Sequence, residues 1–409
     1  MSPFTITHPN KLLNPAINHG ETRAGVKFDR LARRLHAVAQ ETDNMSLVAF
    51  PESPEALSPA WLTEHFQSTG VINADNQVTA LEIKPVGDVI GVVGEVVRCH
   101  ITYAAPCEAP ASVVIKFAHR LPENRAIGNN TRMYEREVLF FNEIAAQLDT
   151  PKTHCYFAGF NADTGGNMVI IEDLHDYDVG DQVTGVTLDQ AKLVVDNIAP
   201  LHARYFDAWQ ADFSDLCTID SDDYISSFLP GFMGSWENAM ANFPECFDNE
   251  MGEAMPRYVS SLAEQMKRMG AGHMTLVHGD VRMDNAMFGR GLAHQHPVVM
   301  IDWQNIMVSN PLQDLAWMTT SSFTLPTRRK DEEALLTYYA DTMQGLGADF
   351  SLDAVREHYD CAILFIMNFH MIIAGAFVPS DKRARQMASE GLDRAVKAVT
   401  DRGLINLIP

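Results

Sequence analysis

Basic residues are scarce in this chain: 31 Lys and Arg stand against 53 Asp and Glu in 409 residues, a formal net charge of -22. A surface of that sign repels phosphate backbones and anionic headgroups, so neither a nucleic-acid partner nor a polybasic membrane role is expected. Nucleotides stay possible, because one local lysine and a divalent metal can outweigh the global field. Cysteine is sparse as well. The six cysteines are scattered with no C-x-x-C pair, which argues against a disulfide scaffold or a zinc site and fits reduced thiols in a cytoplasmic protein. The most apolar stretch runs only from Cys361 to Phe377 and carries Asn368 and His370 inside it, so a core helix is expected there rather than a membrane span. The N-terminal residues lack a basic start followed by an apolar run, and no signal peptide is expected. Internal repeats and low-complexity tracts are missing. So are G-x-G-x-x-G, G-x-x-x-x-G-K-[ST] and G-x-S-x-G, which excludes a Rossmann fingerprint, a P-loop and a nucleophile elbow.

What is present is ordinary globular composition, 46% hydrophobic and 21% charged, in a length suited to two or three domains or one large two-lobed enzyme. Residues 1–45 read as an appendage with an amphipathic helix, since Val26, Leu31, Leu35 and Val38 recur at helical spacing. Ser58-Pro59 then reads as a helix start, Ser58 at the N-cap and Pro59 at the first helical position. From Val78 to Ala118 β-branched residues dominate, and two to three antiparallel strands are expected, with a Pro-rich loop at 106–110. A single helix is expected over 131–148, with Tyr134, Val138, Phe141 and Ile144 or Ala145 on one face. Short strands follow near Cys155–Phe157 and Met168–Ile171. Beyond residue 187 the pattern is helical, interrupted between 274 and 303 by a β-like segment. Strands early and helices late describe an α+β protein, divided as 1–45, a mainly β region 46–174 and a helical region 175–409.

The densest chemical signal is His278-Gly279-Asp280-Val281-Arg282-Met283-Asp284-Asn285, followed after a hairpin-length connection by Val298-Val299-Met300-Ile301-Asp302-Trp303. An apolar strand end delivers Asp280, Asn285 sits where the next short strand starts, and a third strand brings Asp302 alongside. Two acceptor oxygens and a separate carboxylate on one edge suit phosphoryl transfer: two groups hold Mg²⁺ against phosphates and one aligns a hydroxyl and accepts its proton. Three acids and amides capping turns are the plain alternative for any one of these residues alone.

His278-Gly279-Asp280-x-x-x-x-Asn285, Ile301-Asp302-Trp303 and Asp314-Leu315-Ala316 together resemble the aminoglycoside phosphotransferase and choline kinase-like group, and most closely its ecdysteroid kinase-like branch. The resemblance covers about residues 50 to 400. It implies a protein-kinase-like two-lobed fold, ATP as donor, Mg²⁺, and a small-molecule hydroxyl as acceptor. By the same resemblance Asp280 is the catalytic base, Asn285 and Asp302 are the metal ligands, and Asp314 is a structural acid. Lys116, within Val113-Val114-Ile115-Lys116-Phe117, stands where the family has its phosphate-binding lysine. A lysine in an apolar strand is costly to bury unpaired, and Glu135 and Glu137 are its candidate partners; Glu137-Val138-x-x-Phe141 resembles the family better. Gly87 to Gly94 reads from its glycines as a hairpin turn or a phosphate loop. The resemblance makes it the nucleotide loop, with Gly91 and Gly94 in it. It also makes Ile170-Ile171-Glu172-Asp173-Leu174 the hinge whose main chain, at Glu172 and Leu174, meets adenine.

The acceptor is less defined. Between Arg204 and Arg257 there are eleven acids and no Lys or Arg, which favours a cationic acceptor. The same stretch carries Trp209, Phe228 and Trp236, and Trp303 and Trp317 flank the metal edge, which favours an amphipathic one. A solvated acidic face over an aromatic core is the structural alternative. A catalytically silent nucleotide-binding regulatory module is the other functional reading, and self-association stays open. His294 and His296 read as an exposed loop pair, and His202 as a core histidine facing the catalytic loop.

Overall fold

The computed structural model describes residues 49–86, 93–214, 216–376 and 382–408. The expected helix within 1–45, and Gly91, lie outside them. Contacts divide the chain into two units, one containing residues 49–147 and 152–175 and the other 148–151 and 176–408.

In the first unit the strands are β1 (Val78–Pro85), β2 (Gly94–Tyr103), β3 (Ser112–Ala118), β4 (Cys155–Asn161) and β5 (Gly166–Glu172). They form an antiparallel sheet in the order β1-β2-β3-β5-β4. The continuous apolar run Val113–Phe117 arises because both faces of β3 are covered. Val113, Ile115 and Phe117 pack with Leu62 and Phe66 of α1 (Pro59–Ser68), while Val138, Val169 and Ile171 form a second cluster against Val114. Fully burying side chains such as Leu62 and Phe66 stabilises by about 1.5–3 kcal/mol each. With a side-chain period of two, Lys116 shares the face of Val114. Ser58 caps α1 as expected, its hydroxyl accepting from the Trp61 amide at 3.2 Å.

The single helix expected over 131–148 is broken. α2 (Pro122–Asn130) ends before Arg132, whose φ of 57° interrupts helical winding, and α3 (Met133–Leu139) restarts after it. A π turn at Phe140–Ile144 and a 3-10 turn at Ala145–Gln147 follow. The wider π turn shifts the buried face by one residue, so Phe140 is fully buried and Phe141 only partly so.

In the second unit α4 (Leu188–Tyr205) starts at a capping box in which Thr187 and Gln190 satisfy each other's backbone amides. Helices α5 (Asp222–Met233), α6 (Trp236–Asn242), α7 (Asn249–Ser260) and α8 (Leu262–Met269) come next. The β segment extends past the expected 303. β6 (Asp178–Val179), β8 (Ala286–Phe288) and β9 (Val298–Met300) make one small sheet, and β7 (Thr275–Val277) pairs with β10 (Met307–Ser309). Then come α9 (Leu312–Ser322), buried at every residue, α10 (Leu325–Gly345), α11 (Leu352–Ala376) and α12 (Lys382–Asp401). By length and composition α11 is apolar enough to cross a membrane, and 67% of its apolar window is buried within the protein. Asn368 and His370 are buried in it, as a core helix requires.

Candidate active site

β7 ends at Val277, so two residues, His278 and Gly279, separate the strand from Asp280, which the sequence pattern had placed at the strand end itself. Gly279 has a φ of +81°, and a Cβ there would lie 2.4 Å from the Asn305 carbonyl oxygen. Only glycine fits that turn. The bend is held from beneath by Asp314 of α9, which is fully buried. Its Oδ2 accepts from the His278 amide at 2.8 Å and faces His202 Nε2 at 3.1 Å; its Oδ1 accepts from the Gly279 amide at 2.8 Å. His202, on α4, is in turn 2.9 Å from the Tyr339 hydroxyl through Nδ1. It is therefore a satisfied core histidine that reaches the loop through Asp314.

His278 ties the loop to the next strand connection. The Asp280 amide donates to His278 Nδ1 at 3.2 Å, so the ring proton sits on Nε2, which donates to the Ile301 carbonyl at 3.0 Å. The Ile301 amide donates to the Asn285 carbonyl at 2.9 Å, and Asn285 Nδ2 donates to the Asp280 carbonyl at 3.0 Å. Asp280, Asn285 and the residue before Asp302 are thus joined in one hydrogen-bonded ring. Asp302 itself has a φ of 69° and ψ of 61°. A left-handed residue other than glycine costs roughly 1–2 kcal/mol, and such strain is typically kept where it aims a functional side chain.

The donor set fits a hard cation. Asn285 uses its amide nitrogen on the Asp280 carbonyl, which leaves Oδ1 as an acceptor, and Asp302 adds a carboxylate; oxygen ligands of this kind suit Mg²⁺, which keeps most of its shell as water and phosphate. Among the described residues no group of three or more His, Cys, Asp and Glu could hold a metal. His294 pairs with Asp176 at 2.7 Å on the surface and has no metal-site company.

Two further groups sit on Asp280, neither assigned to it from the sequence. Trp317 Nε1–H donates to Asp280 Oδ1 at 2.6 Å. The Arg282 guanidinium lies 3.3 Å from Asp280 and 3.7 Å from Asp284. Burial alone would lower the Arg282 pKa, but the carboxylates of Asp280, Asp302 and Asp284 outweigh it and hold the guanidinium above its ordinary range. The signal for Arg282 was available: it stands two positions from both Asp280 and Asp284 in a chain short of cations.

In the sheet unit, Lys116 Nζ pairs with Glu137 Oε1 at 2.5 Å, with side chains 15% and 4% exposed. Glu135 is engaged elsewhere, by Arg132. Gly94 opens β2 opposite Ala118, and a Cβ on it would lie 3.2 Å from the Phe117 carbonyl oxygen. Glu172 ends β5 and hydrogen-bonds the His154 amide through its side chain, and Leu174 is buried. Asp173 is clamped by Arg98 at 2.8 and 3.0 Å and by Ser112 at 2.7 Å, so that side chain is structural.

Of the acids between Arg204 and Arg257 most are exposed, whereas Phe213, Phe232 and Phe243 are buried in the core. The acidic stretch is thus largely a solvated face. A row of aromatics does lead away from Trp317: Phe369 at 5.4 Å between ring centroids, then Phe228 at 5.1 Å and Tyr224 at 6.0 Å, the last three half-buried.

Comparison with known proteins gives three findings. The model of the ecdysteroid kinase-like family matches residues 91–349. Uncharacterized oxidoreductase dhs-27 of Caenorhabditis elegans is 24% identical over 321 residues, which are 72% of this chain and 38% of that protein. The chain spans under two fifths of that relative. Among solved structures, aminoglycoside 2'-phosphotransferase-IIIa in its GDP complex aligns with a TM-score of 0.47 at 13% identity, over 84% of this chain and 99% of that one. Plasmodium vivax ethanolamine kinase aligns with a TM-score of 0.43 at 12% identity, over 98% and 100%. The architecture is kinase-like, an antiparallel sheet unit followed by a helical unit, and with well over half its length matched the chain belongs to the ecdysteroid kinase-like family.

Proposed function

We propose that this protein is a small-molecule kinase that transfers the γ-phosphoryl group of ATP to a hydroxyl of a small acceptor, with Mg²⁺. Lys116, oriented by Glu137, contacts the nucleotide phosphates; Gly91, Gly94 and the main chain at Glu172 and Leu174 line the nucleotide. Asn285 and Asp302 would hold Mg²⁺, which would neutralise phosphate charge when bound. Asp280 aligns the acceptor hydroxyl and takes its proton as the acceptor oxygen bonds to the γ-phosphorus, the bond to the bridging oxygen breaks and ADP departs. Catalysis then comes from positioning and electrostatics, with no covalent intermediate.

The observation that carries this reading is the hydrogen-bonded ring joining Asp280, His278, Asn285 and Ile301 over the buried carboxylate of Asp314. So much buried polar structure spent on one short loop is what a fixed catalytic constellation needs. The half-buried row Phe369, Phe228 and Tyr224 supports an acceptor with an apolar body, and the acidic face allows a cationic group on it.

The test is Mg²⁺-dependent ATP consumption, with GTP run beside it, over a panel of amino sugars, choline-like amines, sterols and hydroxyacyl compounds. A hit that vanishes in Asp280→Ala supports the reading and names the acceptor class. Mg²⁺-dependent nucleotide binding without turnover on any acceptor favours the silent module. Absence of nucleotide binding removes the proposal.

A further inference from the structure

Trp317 is 6% exposed, and its one polar atom points at a carboxylate rather than at a backbone carbonyl. The ring is held on several sides. His370 of α11 stacks on it with centroids 4.8 Å apart and planes at 30°, and Phe369 meets it edge-on at 5.4 Å. His370 is fixed in its turn: its Nε2 is 3.0 Å from the Thr320 hydroxyl, and Gly391 of α12 backs the ring so closely that a Cβ there would come within 2.7 Å of Nδ1. Burial, with Arg394 nearby, drives the His370 pKa down to about 3, so the stacked imidazole is neutral. Three helices therefore immobilise one indole. Packing asks for a large ring here, but not for an N–H bonded at 2.6 Å to Asp280 Oδ1.

Both Arg282 contacts to Asp280 are long, 3.3 Å to Oδ1 and 3.4 Å to Oδ2. The short indole bond is thus what fixes the rotation of the carboxylate. We propose that Trp317 is a positioning residue for the base: its N–H occupies Oδ1 and leaves Oδ2 as the oxygen presented to the acceptor hydroxyl. This rests on the kinase reading above. A carboxylate with both oxygens free would sample rotations that do not meet the hydroxyl, and misplacement by about 1 Å costs on the order of a hundredfold in rate.

The test has a kinetic arm and a spectroscopic one. Trp317→Phe should lower kcat by about ten- to a hundredfold while the KM values for ATP and acceptor stay within about twofold. In an Asp280→Ala background the same change should cost nothing further, because Trp317 acts through Asp280. In protein labelled with ¹⁵N at the indoles, the Trp317 resonance, identified by its loss in Trp317→Phe, should exchange slowly with solvent and shift in Asp280→Asn. Full kcat in Trp317→Phe, or an additive loss in the double variant, overturns the inference and leaves the kinase reading standing. An indole resonance indifferent to Asp280→Asn overturns it even if the variant proves poorly folded. If the unaltered protein turns over no acceptor, the kinase reading fails, and the role given to Trp317 falls with it.

Discussion

Replacing Asp314 by Asn tests whether its buried carboxylate holds the His278–Asp280 loop, independently of any substrate. The carboxylate accepts from the His278 and Gly279 amides at 2.8 Å each and meets His202 at 3.1 Å, all in a fully buried setting. Asparagine supplies one acceptor oxygen and one NH₂ group. Whichever way it turns, a donor faces at least one of these amides, and a buried donor left unmatched costs about 1–3 kcal/mol. The bond or bonds that remain lose their charge assistance, for a sum of roughly 3–5 kcal/mol. In a unit of this size each kcal/mol shifts melting by about 2–4 °C, so calorimetry should find the transition lowered by roughly 6–20 °C. Asp353→Asn is the control: its side chain is 94% exposed, and the melt should move by less than about 1 °C. If Asp314→Asn melts with the unaltered protein, the loop does not depend on this carboxylate and the reasoning fails.

The buried His370 should leave a mark on stability against pH. Its folded pKa of about 3 lies below the unfolded 6.5, so its contribution is intact above pH 6.5 and lost as pH falls toward 3; the loss is about 2 kcal/mol by pH 5, and His370→Phe should flatten that limb of a urea-denaturation series. Lys116→Met takes the lysine partner from the nearly buried Glu137 carboxylate and should cost about 3–5 kcal/mol, whereas Lys116→Met with Glu137→Leu should recover most of the melting temperature. ATP turnover should be lost in both, which separates the ion pair's structural share from its proposed role. Asn285→Ala should raise the Mg²⁺ concentration for half-maximal turnover about tenfold or more, read by metal titration.

The order of elements was largely legible because strands such as β2 announce themselves in period two and helix starts in capping signals such as Ser58-Pro59. The Asp280, Asn285 and Asp302 spacing was legible for a similar reason: the three lie on one short stretch whose strands are apolar and whose loops are not. What escaped was decided by contacts distant in sequence. The helix expected through residues 131–148 breaks at the left-handed Arg132 and widens at Phe140, and neither residue type forces such a change on its own. The bond from Trp317 to Asp280 spans 37 positions, and an indole in a buried helix carries no sign in the sequence of what its N–H will meet. His278 was closer to legible: a histidine flanked by buried strand and glycine must find partners for both ring nitrogens. Lys116 pairs with Glu137, the partner the resemblance favoured, while Glu135 is engaged by Arg132.

The central claim is that Asp280 serves chemistry and not nucleotide binding. The most direct measurement is Mg-ATP affinity by titration calorimetry alongside single-turnover transfer to an acceptor found in the panel, for the unaltered protein and Asp280→Ala. Affinity in Asp280→Ala should stay within about twofold and transfer should slow by at least about a hundredfold, in keeping with the loss of a positioned general base. Transfer at an undiminished rate in Asp280→Ala would contradict the claim.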